Sequence, residues 1–244
     1  HLEYGFSPQE VSQRVVRQVL RKANEDWRIW ATNMRLLHVL SEAAPECFLE
    51  KLDEGMSGKE PVLGKLYSTA TGVLAPSSPH AGVLWALETL AWSPEYLARA
   101  ASLILRFESL NPGVGSGNSP LESLRTIFLC WKPHTAAGLE QRLNVLKTLL
   151  ARDTERAWPL AISLLPKFHD TCNTSATPRW RSWHTTVPDR VSDLERLNCS
   201  RAIVAMLLEH AGTQSARWKD LVQAMDNLPL VQFRIVLEAL SAIE

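Results

Sequence analysis

Long apolar runs are missing from this chain of 244 residues. No segment approaches the ~20 consecutive apolar residues that cross a bilayer. No charged start leads into an apolar signal core either. Charge of one sign is not in excess: 26 basic residues balance 26 acidic ones. Nucleic-acid binders commonly carry a basic surplus, so the balance argues against such a partner and leaves only a local patch. Cysteine is sparse. Cys47, Cys130, Cys172 and Cys199 are widely separated and form no C-x-x-C pair. In a chain of this length they read as reduced thiols of a cytoplasmic protein, not as a disulfide framework. Sustained apolar/polar alternation is also absent, which excludes a strand-based fold.

Nucleotide loops are missing too. Gly55-Met56-Ser57-Gly58-Lys59 has too few residues between its glycines, and Glu60 stands where a phosphate loop needs Ser or Thr to hold magnesium. Gly113-Val114-Gly115-Ser116-Gly117 has no strand before it and reads as a turn.

Helical periodicity is what the chain does have. The segment from His80 to Leu105 reads as two helices joined at Trp92-Ser93-Pro94-Glu95. Leu97, Ala100, Ala101, Ile104 and Leu105 form one stripe of the second helix. Ser93 is the expected cap of that helix, with Pro94 at its first position and Glu95 at the positive end of its dipole. Before this hairpin, Ser7 caps a helix that turns Val11, Val15, Val16, Val19 and Leu20 inward. A second helix from Asp26 carries Trp27, Trp30, Met34, Leu37 and Leu40 on one side. A third carries Phe48, Leu49 and Leu52. A short helix over 61–72 and a loop over 76–79 complete the first part. After the hairpin, Ser119-Pro120-Leu121-Glu122 repeats the cap pattern. Leu139, Leu143, Leu146 and Leu150 mark the next helix, and another starts at Asp153. Helices resume near Asp189, then at Ser215 and Leu228.

Leucine-ended helices followed by a turn and a new helix recur near Leu40, Leu90 and Leu149, about 50–60 residues apart. The spacing is irregular and wider than the ~40–47 of HEAT units. The expected fold is all-α, an irregular HEAT- or TPR-like helical repeat (α-solenoid) with one long loop around 166–188. A compact irregular helical domain is the alternative. The chain reads as a single helical-repeat fragment of a larger protein, 1–244, divisible into N-terminal helices 1–75, a central region 80–188 and C-terminal helices 189–244.

The stretch from Pro166 to Pro188 loses all periodicity, and loops of more than ~15 residues in compact domains are commonly functional. It contains His169, Asp170, Cys172, Arg179, Trp180, Arg181, Trp183 and His184. His169, Cys172 and His184 include zinc-type ligands, but the paired spacing is absent and a fourth ligand, such as Cys199, would come from afar. Cys172 with a neighbouring histidine could form a nucleophile and base, although no motif supports it. Arg and Trp together suit a recognition surface. The structural alternative puts Trp180 and Trp183 into the groove between helices and pairs Arg179 and Arg181 with acids. The candidate binding residues are His169, Asp170, Arg179, Trp180, Arg181 and Trp183; no catalytic, metal or cofactor residue is assigned. Trp27, Trp30, Trp85, Trp158 and Trp218 read as core, and Trp92 and Trp131 as corner residues. His38 and His80 read as surface or capped histidines.

The runs ALETLAWSPEYLARAASLIL, PLESLRTIFLCWKPHT, RLNVLKTLL, AWPLAISLLP, KFHDT and PRWRSW resemble a helical region of large bacterial multidomain proteins of the signal-transduction NTPase type proposed in antiphage defence. The resemblance covers about 100 of the 244 residues. It implies a helical part that senses a partner while an effector lies elsewhere. No NTPase motif is present, so ATP hydrolysis cannot be placed on this chain. The resulting expectation is a non-catalytic protein-recognition or scaffolding module with an unidentified protein partner. The rival expectations are an enzyme or metal-dependent domain centred on the 166–188 loop, and nucleic-acid sensing through Arg and Trp.

Overall fold

The computed structural model describes residues 7–67, 79–113, 118–185, 187 and 191–243. The expected helix end at 68–72, the loop at 76–78, the glycine-rich turn at 114–117 and the restart at Asp189 lie outside them. The described residues are all helical in architecture, with twelve α-helices and no strand.

Side-chain caps open five of the twelve α-helices among the described residues. In α1 (Pro8–Glu25) the Ser7 hydroxyl accepts the Glu10 N–H at 3.2 Å, and the Glu10 carboxylate accepts the Ser7 N–H at 2.7 Å. This reciprocal pair satisfies donors that the first turn leaves free. The helix buries Val16, Leu20 and Ala23 but exposes Val11 and Val15. At 3.6 residues per turn those two valines lie round the helix from the buried line, so a run of valines overstates the inward face.

The helix expected from Asp26 to Leu40 is two helices, α2 (Trp27–Thr32) and α3 (Leu37–Ala43). The Asn33 side chain donates back to the Ile29 carbonyl at 2.8 Å and closes the first. The intervening turn receives α5 (His80–Ala91). At Gly82 an added Cβ would lie 2.5 Å from the Met34 carbonyl oxygen, so only glycine lets α5 approach this closely. Between them run α4 (Pro45–Gly55) and a 3₁₀ turn, Val62–Leu66.

The central corner differs from expectation in one detail. α6 (Leu97–Glu108) starts after a turn over 93–96, and the Ser93 backbone carbonyl, not its hydroxyl, accepts the N–H groups of Tyr96 and Leu97. The predicted stripe of Leu97, Ala100, Ala101, Ile104 and Leu105 is fully buried. In α7 (Pro120–Phe128) the Ser119 hydroxyl caps as predicted, accepting the Glu122 N–H at 3.1 Å.

The remaining helices are α8 (Leu139–Arg152), α9 (Thr154–Ser163), α10 (Asp193–Ala211), α11 (Ser215–Ala224) and α12 (Leu230–Ser241). Ser192 caps α10, and Gly212, at φ 53°, ends it in a backbone region open to glycine. The most extensive contacts join α3 to α5 and α1 to α4, which are not neighbours in sequence. α6 lies against α5, α7 and α8; α9 against α7, α8, α10 and α11; and α10 against α8, α11 and α12. One continuous apolar core extends from Val16 to Val236.

Cys130 and Cys199 are joined by a disulfide, Cα–Cα 5.7 Å, which ties the residue pair beyond α7 to α10. Cys47 and Cys172 are free. This corrects the reading of four reduced thiols, and removes the cysteine argument for a cytoplasmic location. Sequence separation hid the pair, because the two positions are 69 apart. No helix among the described residues is long and apolar enough to cross a membrane.

Candidate functional site

Within the aperiodic stretch, residues 166–185 form a strap that leaves α9 and crosses the ends of α7, α5 and α3. Each crossing is pinned by a polar side chain rising from the helices below. At the first, Arg125 of α7 donates to the Thr171 carbonyl at 2.9 Å and pairs with the Asp170 carboxylate. The Trp131 indole N–H reaches the other Asp170 oxygen at 2.7 Å. Asp170 is therefore consumed internally.

At the second crossing the strap closes over Trp92. The Trp92 indole N–H donates to the Ala176 carbonyl at 2.9 Å, and its ring stacks on His134 at 5.5 Å. His134 Nδ1 lies 2.8 Å from the Ser175 hydroxyl and accepts the Ser175 N–H at 3.3 Å. Nδ1 must be the unprotonated nitrogen, because a backbone N–H can only donate. Burial, with a smaller push from Lys132, lowers the His134 pKa and keeps the ring neutral. Beside it, the buried Glu88 of α5 accepts the Ser123 hydroxyl at 2.5 Å and the Ala176 N–H at 2.8 Å. Burial raises the Glu88 pKa, partly offset by these two donors.

The third crossing is held by Glu42 of α3, only 1% exposed. Its carboxylate accepts three successive backbone N–H groups: Arg179 at 3.0 Å, Trp180 at 2.7 Å and Arg181 at 3.1 Å. The Arg181 guanidinium returns to the Glu42 carbonyl at 3.1 and 3.0 Å. A concave run of backbone N–H groups is an anion site, and here the protein fills it with its own carboxylate.

This arrangement sorts the six candidate residues. Asp170 is an anchor. Arg179 and Arg181 do meet an acid, but through backbone N–H groups and the reverse contact to a carbonyl. Trp183 is half-buried, edge-on to Tyr96 at 5.7 Å and beneath the Arg181 guanidinium at 5.8 Å. Trp180 does not plug the core: it is 72% exposed. It borders a shallow groove of about 520 Å³ with Arg181, Val39 and the first turn of α1. His169 is exposed, with its ring against Phe168 at 4.6 Å.

The metal alternative loses its proposed fourth ligand, since the Cys199 sulfur is bonded to Cys130. No group of three metal-type side chains occurs among the described residues. His184 sits edge-on to Trp92 at 6.1 Å, away from any such set. Cys172 is free and shares no hydrogen bond with either histidine, so no base is aligned on it. Sequence reasoning missed Glu42, Glu88, Arg125 and His134. For the two acids a signal was present: each is a lone carboxylate inside an apolar helix face, which demands a buried partner. His80 also differs from expectation. It is buried, stacked on Tyr67 at 4.7 Å, with Nε2 2.8 Å from the Asn118 carbonyl.

No family model, no curated protein and no solved structure matches this chain.

Proposed function

We propose that this chain is a non-catalytic recognition or scaffolding module of helical-repeat type, which binds a protein partner through the outer edge of the strap. The observation that carries the reading is the contrast at residues 179–181. Their backbone is fixed to the buried Glu42 by three hydrogen bonds, while the Trp180 side chain stands 72% exposed. A large aromatic on a backbone held in advance loses little freedom on binding, and Trp and Arg are the residues most enriched at binding hot spots. The repeat reading is supported by next-but-one packing of the central helices, α5 on α7, α6 on α8 and α7 on α9, as in stacked helical hairpins. The resemblance to helical regions of bacterial signal-transduction NTPase-type proteins supports a sensing role beside an effector.

The test is capture from lysates of phage-infected and uninfected bacteria, with Trp180→Ala as the matched bait. The reading expects a protein held by the native chain and lost by the variant at unchanged thermal stability. Equal capture by both baits would move recognition away from the strap edge.

A further inference from the structure

At the opposite end of the strap lies a second surface. A groove of about 1030 Å³ opens between the strap root, the N-terminal turn of α10 and the segment before α12. Phe168 and Leu197 line it together with Pro229. Phe168 is 84% exposed, more than any other large apolar side chain among the described residues. Beneath them, Cys130 lines the groove and is bonded to Cys199, so the segment after α7 and the α10 wall are covalently tied.

The charges on this groove are uneven. Asp170 is bound by Arg125 and Trp131, and Arg196 pairs with Asp193 at 3.1 Å. Lys132 and Lys167, both exposed, form no ion pair among the described residues. The groove thus offers an apolar floor with two uncompensated ammonium groups beside it.

We infer that this groove docks an acidic amphipathic protein segment, its apolar side chains against Phe168 and Leu197 and its carboxylates toward Lys132 and Lys167. The inference rests on the recognition reading and adds a second contact surface with a defined partner chemistry. Charge complementarity selects the occupant: a basic segment would be repelled by the two lysines, and a neutral one would gain no attraction from them. An amphipathic helix laid in an apolar groove is a recurrent mode of segment recognition.

The test uses two capped synthetic helices, labelled for anisotropy, with the same Leu/Phe face and either glutamate or lysine on the other face. The native chain should bind the glutamate helix and not the lysine helix, and added salt should weaken the complex. Phe168→Ala, which removes an exposed ring and leaves the fold intact, should weaken binding by about tenfold or more. The double reversal Lys132→Glu/Lys167→Glu should prefer the lysine helix. Trp180→Ala should bind as the native chain does, so that failure of the groove leaves the strap-edge reading standing and the reverse. Equal affinity for both helices would overturn the inference. So would indifference to Phe168→Ala, or concentration-dependent self-association abolished by that variant, which would make the groove an interface between copies.

Discussion

The Glu42 carboxylate accepts the Trp180 backbone N–H at 2.7 Å across 138 positions of sequence. A buried acid on α3 thereby sets the conformation of a strap that follows α9. The same carboxylate takes the N–H groups on either side. Position along the strap is thus fixed from below, while the Trp180 side chain above remains free to meet a partner.

Glu42→Ala should unlatch this turn without unfolding the chain. Three donors lose their acceptor, but their residues are exposed and water can replace it. The expected cost is about 1–3 kcal/mol, read by chemical denaturation. Hydrogen exchange should accelerate at Arg179, Trp180 and Arg181 and stay slow at Ser175 and Ala176, which His134 and Glu88 hold separately. Uniform acceleration along the strap would show that the crossings are not independent. Trp180→Ala should leave stability unchanged within about 0.5 kcal/mol, as expected of an exposed side chain.

His134 and Glu88 give the middle crossing opposite responses to pH. The folded pKa of His134 is lowered below 6.5, so the unfolded chain binds the proton more readily. Its contribution is fully present above 6.5 and is lost as pH falls through the folded pKa. Protonation of Nδ1 would also remove the acceptor that Ser175 uses. Glu88 has its pKa raised above 4.5, so its contribution is fully present below 4.5 and is lost as pH rises through the folded value. Glu88→Gln keeps an acceptor for the Ala176 N–H and removes the titration. Stability measured against pH should therefore lose its decline above 4.5 in this variant while keeping the His134 step below 6.5. An unchanged profile would mean that Glu88 does not titrate in the native state.

The local parts of this structure were legible in the sequence, and the long-range parts were not. Ser7 and Ser119 act within three residues of themselves, and the α6 stripe repeats within one helix. Asn33, by contrast, is an ordinary helix residue until its side chain folds back onto Ile29. The strap was visible as a break in periodicity, but its anchors are supplied by α3, α5 and α7. Trp180 and Trp183 look alike in sequence. Their different burial follows from which backbone N–H groups Glu42 captures and from Tyr96 beneath one ring only.

Gly82 provides a test of how closely α5 packs on the turn between α2 and α3. In an unobstructed helix, Gly→Ala stabilises by up to about 1 kcal/mol. Here the new methyl would meet the Met34 carbonyl oxygen at 2.5 Å and the Met34 Cα at 2.9 Å. Backbone atoms cannot swing aside, so Gly82→Ala should instead destabilise by about 1–3 kcal/mol in thermal or urea unfolding. Gly138→Ala, where an added Cβ meets nothing within 4 Å, is the control and should change stability little. A stabilised Gly82→Ala protein would show that α5 sits farther from the turn.

The disulfide makes the last prediction, because its effect is set by connectivity. Cys130 and Cys199 are separated by 69 positions, and the enclosed chain includes α8, α9 and the whole strap. Closing a loop of that size removes conformations from the unfolded chain worth about 4 kcal/mol in the chain-entropy account. A thiol reductant should therefore lower the melting temperature of the native chain. Cys130→Ser/Cys199→Ser should melt near the reduced value and ignore the reductant. Cys47→Ser/Cys172→Ser should keep the full response, since those thiols are free. The segment after α7 and α10 are what the bond ties together, so reduction should also raise hydrogen exchange in α10 near Leu197 before it affects α5 or α6. If reduction left both melting and exchange unchanged, α10 would be held by its packing against α8, α9, α11 and α12 without help from the bond.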